Sequence, residues 1–211
     1  MKADEYEYEF SGAIEYILEK SAQLKDDMLP AKIIEYDRAK NRAKIQPLIM
    51  QVLEDKTIIK RPILMSIPVL QYGGSGFVLS FDLKAGDIGW IKANDRDISK
   101  FLSTYNNNTP NTDRIKNFSD GVFIPDVMHG YNINAGDTAT LQSLDGSIKL
   151  ALNNTSITMQ VKSTKIVMTD TEVAITSAKL THNGINVGNT HVHPQGADSA
   201  GNAEQDTGYP Q

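Results

Sequence analysis

The sequence predicts a mainly β protein in two parts, because the composition changes sharply near residue 130. Prolines occur at six positions up to Pro125 and then not again until Pro194. Between Asn134 and His193 the chain has no Phe, Tyr, Trp, Pro or Arg, but it has ten threonines. A shift of this size indicates a domain boundary, and short apolar runs bounded by turn residues occur on both sides of it.

A short helical segment is predicted over residues 1–29, ahead of the first strands. Its apolar residues recur near the 3.6-residue period of a helix, at Ile14, Ile17, Leu18, Leu24 and Met28.

Five strand-like runs follow within residues 30–105. They are "AKIIEY", "RAKIQPLIMQVL", "TIIKRPILMSIPVL", "GFVLSF" and "DIGWIKA", and turn chemistry such as "EDK" and "QYGGSG" separates them. Five short strands in so few residues predict a small antiparallel barrel of the OB type. Residues 106–133 are predicted to connect the two parts as a long surface loop with one short strand, "VFI".

Residues 134–193 contain short runs in which apolar residues alternate with polar ones, the period of a strand with one buried face. The runs are "IKLAL", "ITMQV", "IVM", "VAIT", "AKL" and "INV". A single chain of this length carries too little apolar surface for a core of its own. One interpretation is a marginal β-meander or a polar linker. The other is an intertwined β-helix, in which several chains bury these stripes around a shared axis.

Two of the four histidines, His191 and His193, stand one residue apart near the end of the chain. Solvated residues are the simpler interpretation of such a pair. However, Ile185, Val187, His191 and His193 share one strand parity if no bulge occurs at Gly188, which would turn both imidazoles towards the core. Threefold symmetry would then bring six imidazoles together, a donor set that suits an octahedral ion such as iron(II) better than zinc. Because every position of such a site is filled by protein, its role would be structural.

The chain resembles the central spike proteins in the baseplates of contractile-tailed bacteriophages. The resemblance is carried by "LPAKIIEYDRAKNRAKIQPLI" and "IPVLQYGGSGFVLSFDLKAGDIGWIKANDRDISKFL" for the OB domain, by "FSDGVFIP" for the segment before the β-helix, and by "NGINVGNTHVHPQG" for a His-x-His apex. A polar tail, residues 194–211, follows the apex and is either folded back over it or disordered.

The resemblance implies a homotrimer at the tip of the tail baseplate of a virion. One octahedral Fe²⁺ ion per trimer would be held by His191 and His193 of each chain, within a β-helix over 134–193. The barrel and the N-terminal helix would dock to tail hub or tube proteins. The tip would pierce the host outer membrane when the tail sheath contracts.

Other classes of function have less support in the sequence. Cysteine is absent, and no nucleophile elbow, zinc-protease motif or phosphate-binding loop occurs, so no enzyme activity is predicted. Residues 30–105 hold twelve basic and eight acidic side chains, a net charge of +4, and Phe77, Phe81 and Trp90 lie in apolar runs that predict core packing. An OB module that binds single-stranded nucleic acid is therefore an alternative, but no nucleic acid is expected as a partner. A trimeric receptor-binding tail fibre is the other alternative.

Overall fold

The computed structural model describes residues 10–18, 21, 26–53 and 55–208. It divides into two compact units, Met1–Met128 and His129–Gln211. Helix α1 covers residues 10–18, and nearly all other regular structure is β, so the predicted fold class is confirmed. Met28, assigned to the helix from its spacing, is instead the first residue of strand β1, and Leu24 lies outside the described residues.

The front unit contains nine strands and a second short helix among its described residues. The strands are β1 (Met28–Asp37), β2 (Arg42–Pro47), β3 (Gln51–Val52), β4 (Ile58–Ile59), β5 (Leu64–Pro68), β6 (Tyr72–Gly74), β7 (Phe77–Leu79), β8 (Ile88–Asn94) and β9 (Asn117–Pro125), and helix α2 is Ser99–Thr104. Strands β3–β4 and β6–β7 form separate two-stranded hairpins.

Five of these strands form one antiparallel sheet in the order β5-β2-β1-β8-β9. The sheet curls until its two edges approach, where Val69 lies opposite Phe123 and the Leu70 amide donates to the Phe123 carbonyl over 2.8 Å. This nearly closed five-stranded barrel agrees with the OB-type prediction.

One barrel strand comes from the segment predicted as a connection. The predicted "VFI" strand lies near the end of β9, which pairs along β8 from Gly89 opposite Pro125 to Asn94 opposite Asn117. The run "GFVLSF", predicted as a barrel strand, provides β7 of the projecting hairpin. The polar start of β9, "NFSDG", has the composition of a turn. It is a strand because it pairs with β8, which lies elsewhere in the chain.

Alternating apolar residues from all five strands fill the barrel. Ile33, Ile45, Ile67, Ile91 and Phe123 are its largest fully buried side chains. Burying a side chain of this size stabilises a fold by about 1.5–3 kcal/mol. The barrel therefore has a core of its own.

Gly89 lets β9 pass close to β8. A Cβ at this position would lie 2.3 Å from the Ile124 carbonyl oxygen and 2.6 Å from Cζ of Phe123. We expect Gly89→Ala to destabilise the barrel by roughly 1–3 kcal/mol, the usual cost of overpacking. Urea denaturation followed by the fluorescence of Trp90, the single tryptophan, would measure this. Gly74→Ala is the control because a Cβ there meets no atom within 4 Å, and equal losses in both variants would contradict the packing argument.

Two buried carboxylates, Asp97 and Asp120, hold the segment between β8 and β9 against the barrel. Asp97 accepts hydrogen bonds from the Ser99 amide at 2.9 Å and from the Thr112 hydroxyl at 2.8 Å. The Arg114 guanidinium pairs with both Asp97, at 3.2 Å, and Asp120, at 2.8 Å. Hydrogen bonds from Ser99 and then Thr112, together with the charge of Arg114, lower the pKa of Asp97 to about 2.

This depressed pKa predicts a loss of stability in acid. Because the folded state holds Asp97 ionised more firmly than the unfolded chain does, its contribution is full above the unfolded pKa of about 4 and is lost as the pH falls towards 2. We expect Asp97→Asn to flatten that part of the pH dependence, measured by urea denaturation at pH 2–6. An unchanged profile would show that Asp97 does not carry it.

The back unit begins with a five-stranded antiparallel meander. Its strands are β10 (Ala139–Gln142), β11 (Ile148–Leu152), β12 (Ile157–Val161), β13 (Thr164–Met168) and β14 (Val173–Thr176), hydrogen-bonded in chain order. The predicted runs "IKLAL", "ITMQV", "IVM" and "VAIT" lie in β11 to β14. Their backbone pairs lie within one chain, and the register shows no bulge.

A short hairpin, β15 (Thr181–His182) and β16 (Ile185–Asn186), follows the meander. Asn183 and Gly184 form its turn with φ of 48° and 81°, the left-handed backbone that an Asn-Gly hairpin turn requires.

Candidate oligomerisation face and metal-binding tip

One face of the β10–β14 sheet consists almost entirely of aliphatic side chains. Residues directly opposite each other in an antiparallel sheet point to the same side, and the register aligns Leu141, Leu150, Met159, Ile166 and Ile175 in one row across all five strands. Ten large aliphatic side chains on this face are 39–61% exposed: Leu141, Ile148, Leu150, Leu152, Ile157, Met159, Val161, Met168, Val173 and Ile175. We call this set the aliphatic face.

The opposite face of the same sheet has mostly polar side chains, with a few small or branched apolar ones among them, yet it is the better covered of the two. Its rows contain Thr140, Ala151, Thr158 and Val167, and Ala151 is only 3% exposed. Lys149 on this face pairs with Asp137 at 2.7 Å, and both side chains are largely buried. The usual arrangement, with the apolar side inside, is therefore reversed within one chain.

The prediction that His191 and His193 point towards the core assumed one continuous strand from Ile185 to His193. The structure has no such strand. The chain turns at Gly188, whose carbonyl accepts the His191 amide at 3.1 Å, and strand β16 has already ended at Asn186. The Asn186 side chain shapes this turn, since its Oδ1 accepts the Gly188 amide at 3.1 Å and its Nδ2 donates to the Thr190 hydroxyl at 2.7 Å. The sequence could not specify this turn, because glycine is compatible with both extended and turned backbone.

The turn nevertheless brings His191 and His193 together. Their ring centroids lie 5.0 Å apart at an interplanar angle of 89°. The Nδ1 atom of His191 lies 2.5 Å from the Gly188 carbonyl oxygen, an arrangement that fits Nδ1–H as the donor and Nε2 as the available ligand atom. His182 lies apart from them on β15, exposed, with Nε2 3.3 Å from Nδ2 of Asn183.

A single chain provides too few donors to enclose a metal ion here. Within the described ranges, no group of three or more His, Asp or Glu side chains is placed to hold a metal. The chemistry of the donors nevertheless fits a metal, because the imidazole nitrogens of His191 and His193 are donor atoms that suit a transition metal.

The front unit exposes aromatic side chains that the sequence predicted to be in the core. Phe77, on the β6–β7 hairpin, is 84% exposed, and Phe81 is also exposed. Tyr72, on the same hairpin but not among the residues predicted to be in the core, is exposed too. Trp90 is partly buried, and its Nε1 donates to Asp126 Oδ2 at 2.8 Å. The prediction was wrong for Phe77 and Phe81 because the apolar run "GFVLSF" forms a projecting hairpin instead of a barrel strand.

Among the described helices, none is long and apolar enough to cross a membrane.

Comparison with known proteins gives a match for the front unit. Residues 29–126 match the family model described as the phage protein Gp138 N-terminal domain, a range that contains the barrel from β1 to β9 except for its first residue, Met28. No match was found among curated proteins. The matched domain supports the assignment of this chain as a structural protein of a phage.

Proposed function

We propose that the protein is the trimeric central spike of a contractile phage tail, with the aliphatic face as the inner surface of the trimer. The observation that carries this proposal is the reversal of the sheet, whose aliphatic side is open while its polar side is covered. A phage protein domain at the front of the chain supports the same assignment.

Association of identical chains would bury the aliphatic face that one chain leaves open. Half-burying one of these aliphatic side chains contributes about 1 kcal/mol, so ten of them favour assembly by on the order of 10 kcal/mol per chain before the costs of ordering and association. Three copies around an axis would place three such faces against one another, and the medium-sized aliphatic side chains suit a narrow core.

Such a trimer would be stiff along its axis. Strands β10 to β14 are hydrogen-bonded to one another within each chain. These hydrogen bonds would stabilise each sheet, and the shared core would hold the three chains together. Interwinding of the three chains over residues 134–193 remains a prediction. A spike needs this stiffness to transmit the force of sheath contraction to the host outer membrane.

The two histidines would secure the end of the spike, where each chain buries least. His191 and His193 from three chains supply six imidazole nitrogens, and this donor set fits one octahedral Fe²⁺ ion. The ion would supply cross-linking and no catalytic chemistry, because protein donors fill every position.

The barrel and the N-terminal helix would attach the spike to the tail hub or tube. Gold-labelled antibodies against the barrel, applied to purified virions and viewed by electron microscopy, test the location. We expect label at the baseplate end of the tail, and label on the head or along fibres would contradict the proposal. Virions that lack the protein should adsorb to the host but fail to infect it.

A nucleic-acid-binding module is the second candidate, because Tyr72 and Phe77 are exposed beside a barrel of OB type. Bases stack on aromatic rings in such folds, and the binding weakens steeply with salt. The spike proposal predicts no salt-dependent binding of single-stranded DNA in a fluorescence anisotropy titration. Micromolar binding that Phe77→Ala abolishes would favour the second candidate instead.

A further inference from the structure

The tail that follows the histidines closes on itself in a loop. The His193 amide donates to the Thr207 hydroxyl at 2.8 Å, and the Thr207 amide donates to the His193 carbonyl at 3.0 Å. Inside this loop, Asp198 and Asn202 close a smaller turn in which the Asp198 amide donates to the Asn202 carbonyl at 2.9 Å. We call residues 193–207 the apical loop. Whether this loop covers the apex of an assembly stays a prediction.

The two histidines are held in different ways. His191 is oriented through its ring, by the contact of Nδ1 with the Gly188 carbonyl. For His193, the part of the chain that the structure describes offers its ring no hydrogen bond, and the backbone amide and carbonyl are both engaged by Thr207. The His193 ring meets the His191 ring edge to face, and the backbone that carries it is held on both its amide and its carbonyl by one residue, fourteen positions later.

We infer that Thr207 is a positioning residue for metal binding by His193. The inference rests on the proposed function and adds that the tail is part of the site. Groups that orient a metal ligand typically contribute 10–100-fold to affinity. The two hydrogen bonds also keep this part of each chain from fraying, because the amide and the carbonyl of His193 both have a partner within the protein and need none from water.

The test compares two substitutions at one position. Thr207→Val keeps the branched shape and the amide donor but removes the hydroxyl that accepts the His193 amide, whereas Thr207→Ser keeps the hydroxyl. Iron release is measured by challenging the iron-loaded trimer with a strong Fe²⁺ chelator, and native mass spectrometry checks that the trimer persists. In metal-free protein, amide hydrogen exchange at His193 reports the fastening independently of the metal.

We expect Thr207→Val to release iron 10–100-fold faster and to expose the His193 amide to exchange, while Thr207→Ser behaves as the wild type. Wild-type release and protection in Thr207→Val would overturn the inference alone and leave the spike proposal standing. A wild-type trimer that takes up no Fe²⁺ would overturn the metal site and this inference together. Wild-type protein that is not trimeric would overturn the proposed function itself.

Discussion

A lysine in place of Leu150 should prevent the protein from forming trimers. Leu150 lies in the long row of the aliphatic face, between Leu141 and Met159 on the neighbouring strands. In the proposed trimer three lysine side chains would meet near the axis without partners. An unpaired buried charge costs several kcal/mol, so three of them oppose an association that is itself worth about 10 kcal/mol per chain before its costs.

The measurement is the mass in solution, by size-exclusion chromatography with light scattering. Thr158→Lys is the matched control, since Thr158 lies on the same sheet but on its polar side, opposite Ala151 and Val167. We expect the control to remain trimeric and Leu150→Lys to become monomeric, with Trp90 fluorescence unchanged because the barrel has its own core. A trimer in Leu150→Lys would mean that the aliphatic face is not the inner surface.

Replacing both His191 and His193 with alanine should remove the bound iron and loosen the tip without dissociating the trimer. The aliphatic face is untouched by these changes, so the energy that holds the chains together stays in place. Element analysis should fall from one iron per three chains to none. Hydrogen exchange should rise in residues 187–208, which lie beyond the last strand.

His182→Ala is the control for this experiment. Within the described residues its ring has a hydrogen bond with the neighbouring Asn183, and it is not part of the histidine pair. We expect the control to bind iron as the wild type does. Loss of iron in His182→Ala, or retention in the double variant, would show that the metal is bound elsewhere.

The alternation of the back half predicted its strands well. Runs such as "ITMQV" coincide with β12, because the period of two is a direct consequence of strand geometry. The same alternation predicted one apolar side. Its exposure could be known only from the structure, since sequence shows which residues share a face but not what covers that face.

Contacts distant in sequence explain what was missed. Strand β9 forms by pairing with β8, where Gly89 lies opposite Pro125, and the apical loop forms because Thr207 reaches back fourteen residues to His193. The hairpin with Phe77 was taken for core because an apolar strand looks the same whether it is covered or projecting. The sequence places His191 and His193 one residue apart, and the structure puts their rings 5.0 Å apart, but the parity argument for the pair ends at the Gly188 turn.

Native mass spectrometry of the wild-type protein, purified without a histidine tag, tests the central claim most directly. The proposal predicts a single assembly with three times the chain mass of 23.2 kDa. A monomer would leave the aliphatic face open in solution, and a dimer would cover it by pairing two sheets. Either result would contradict the trimeric spike.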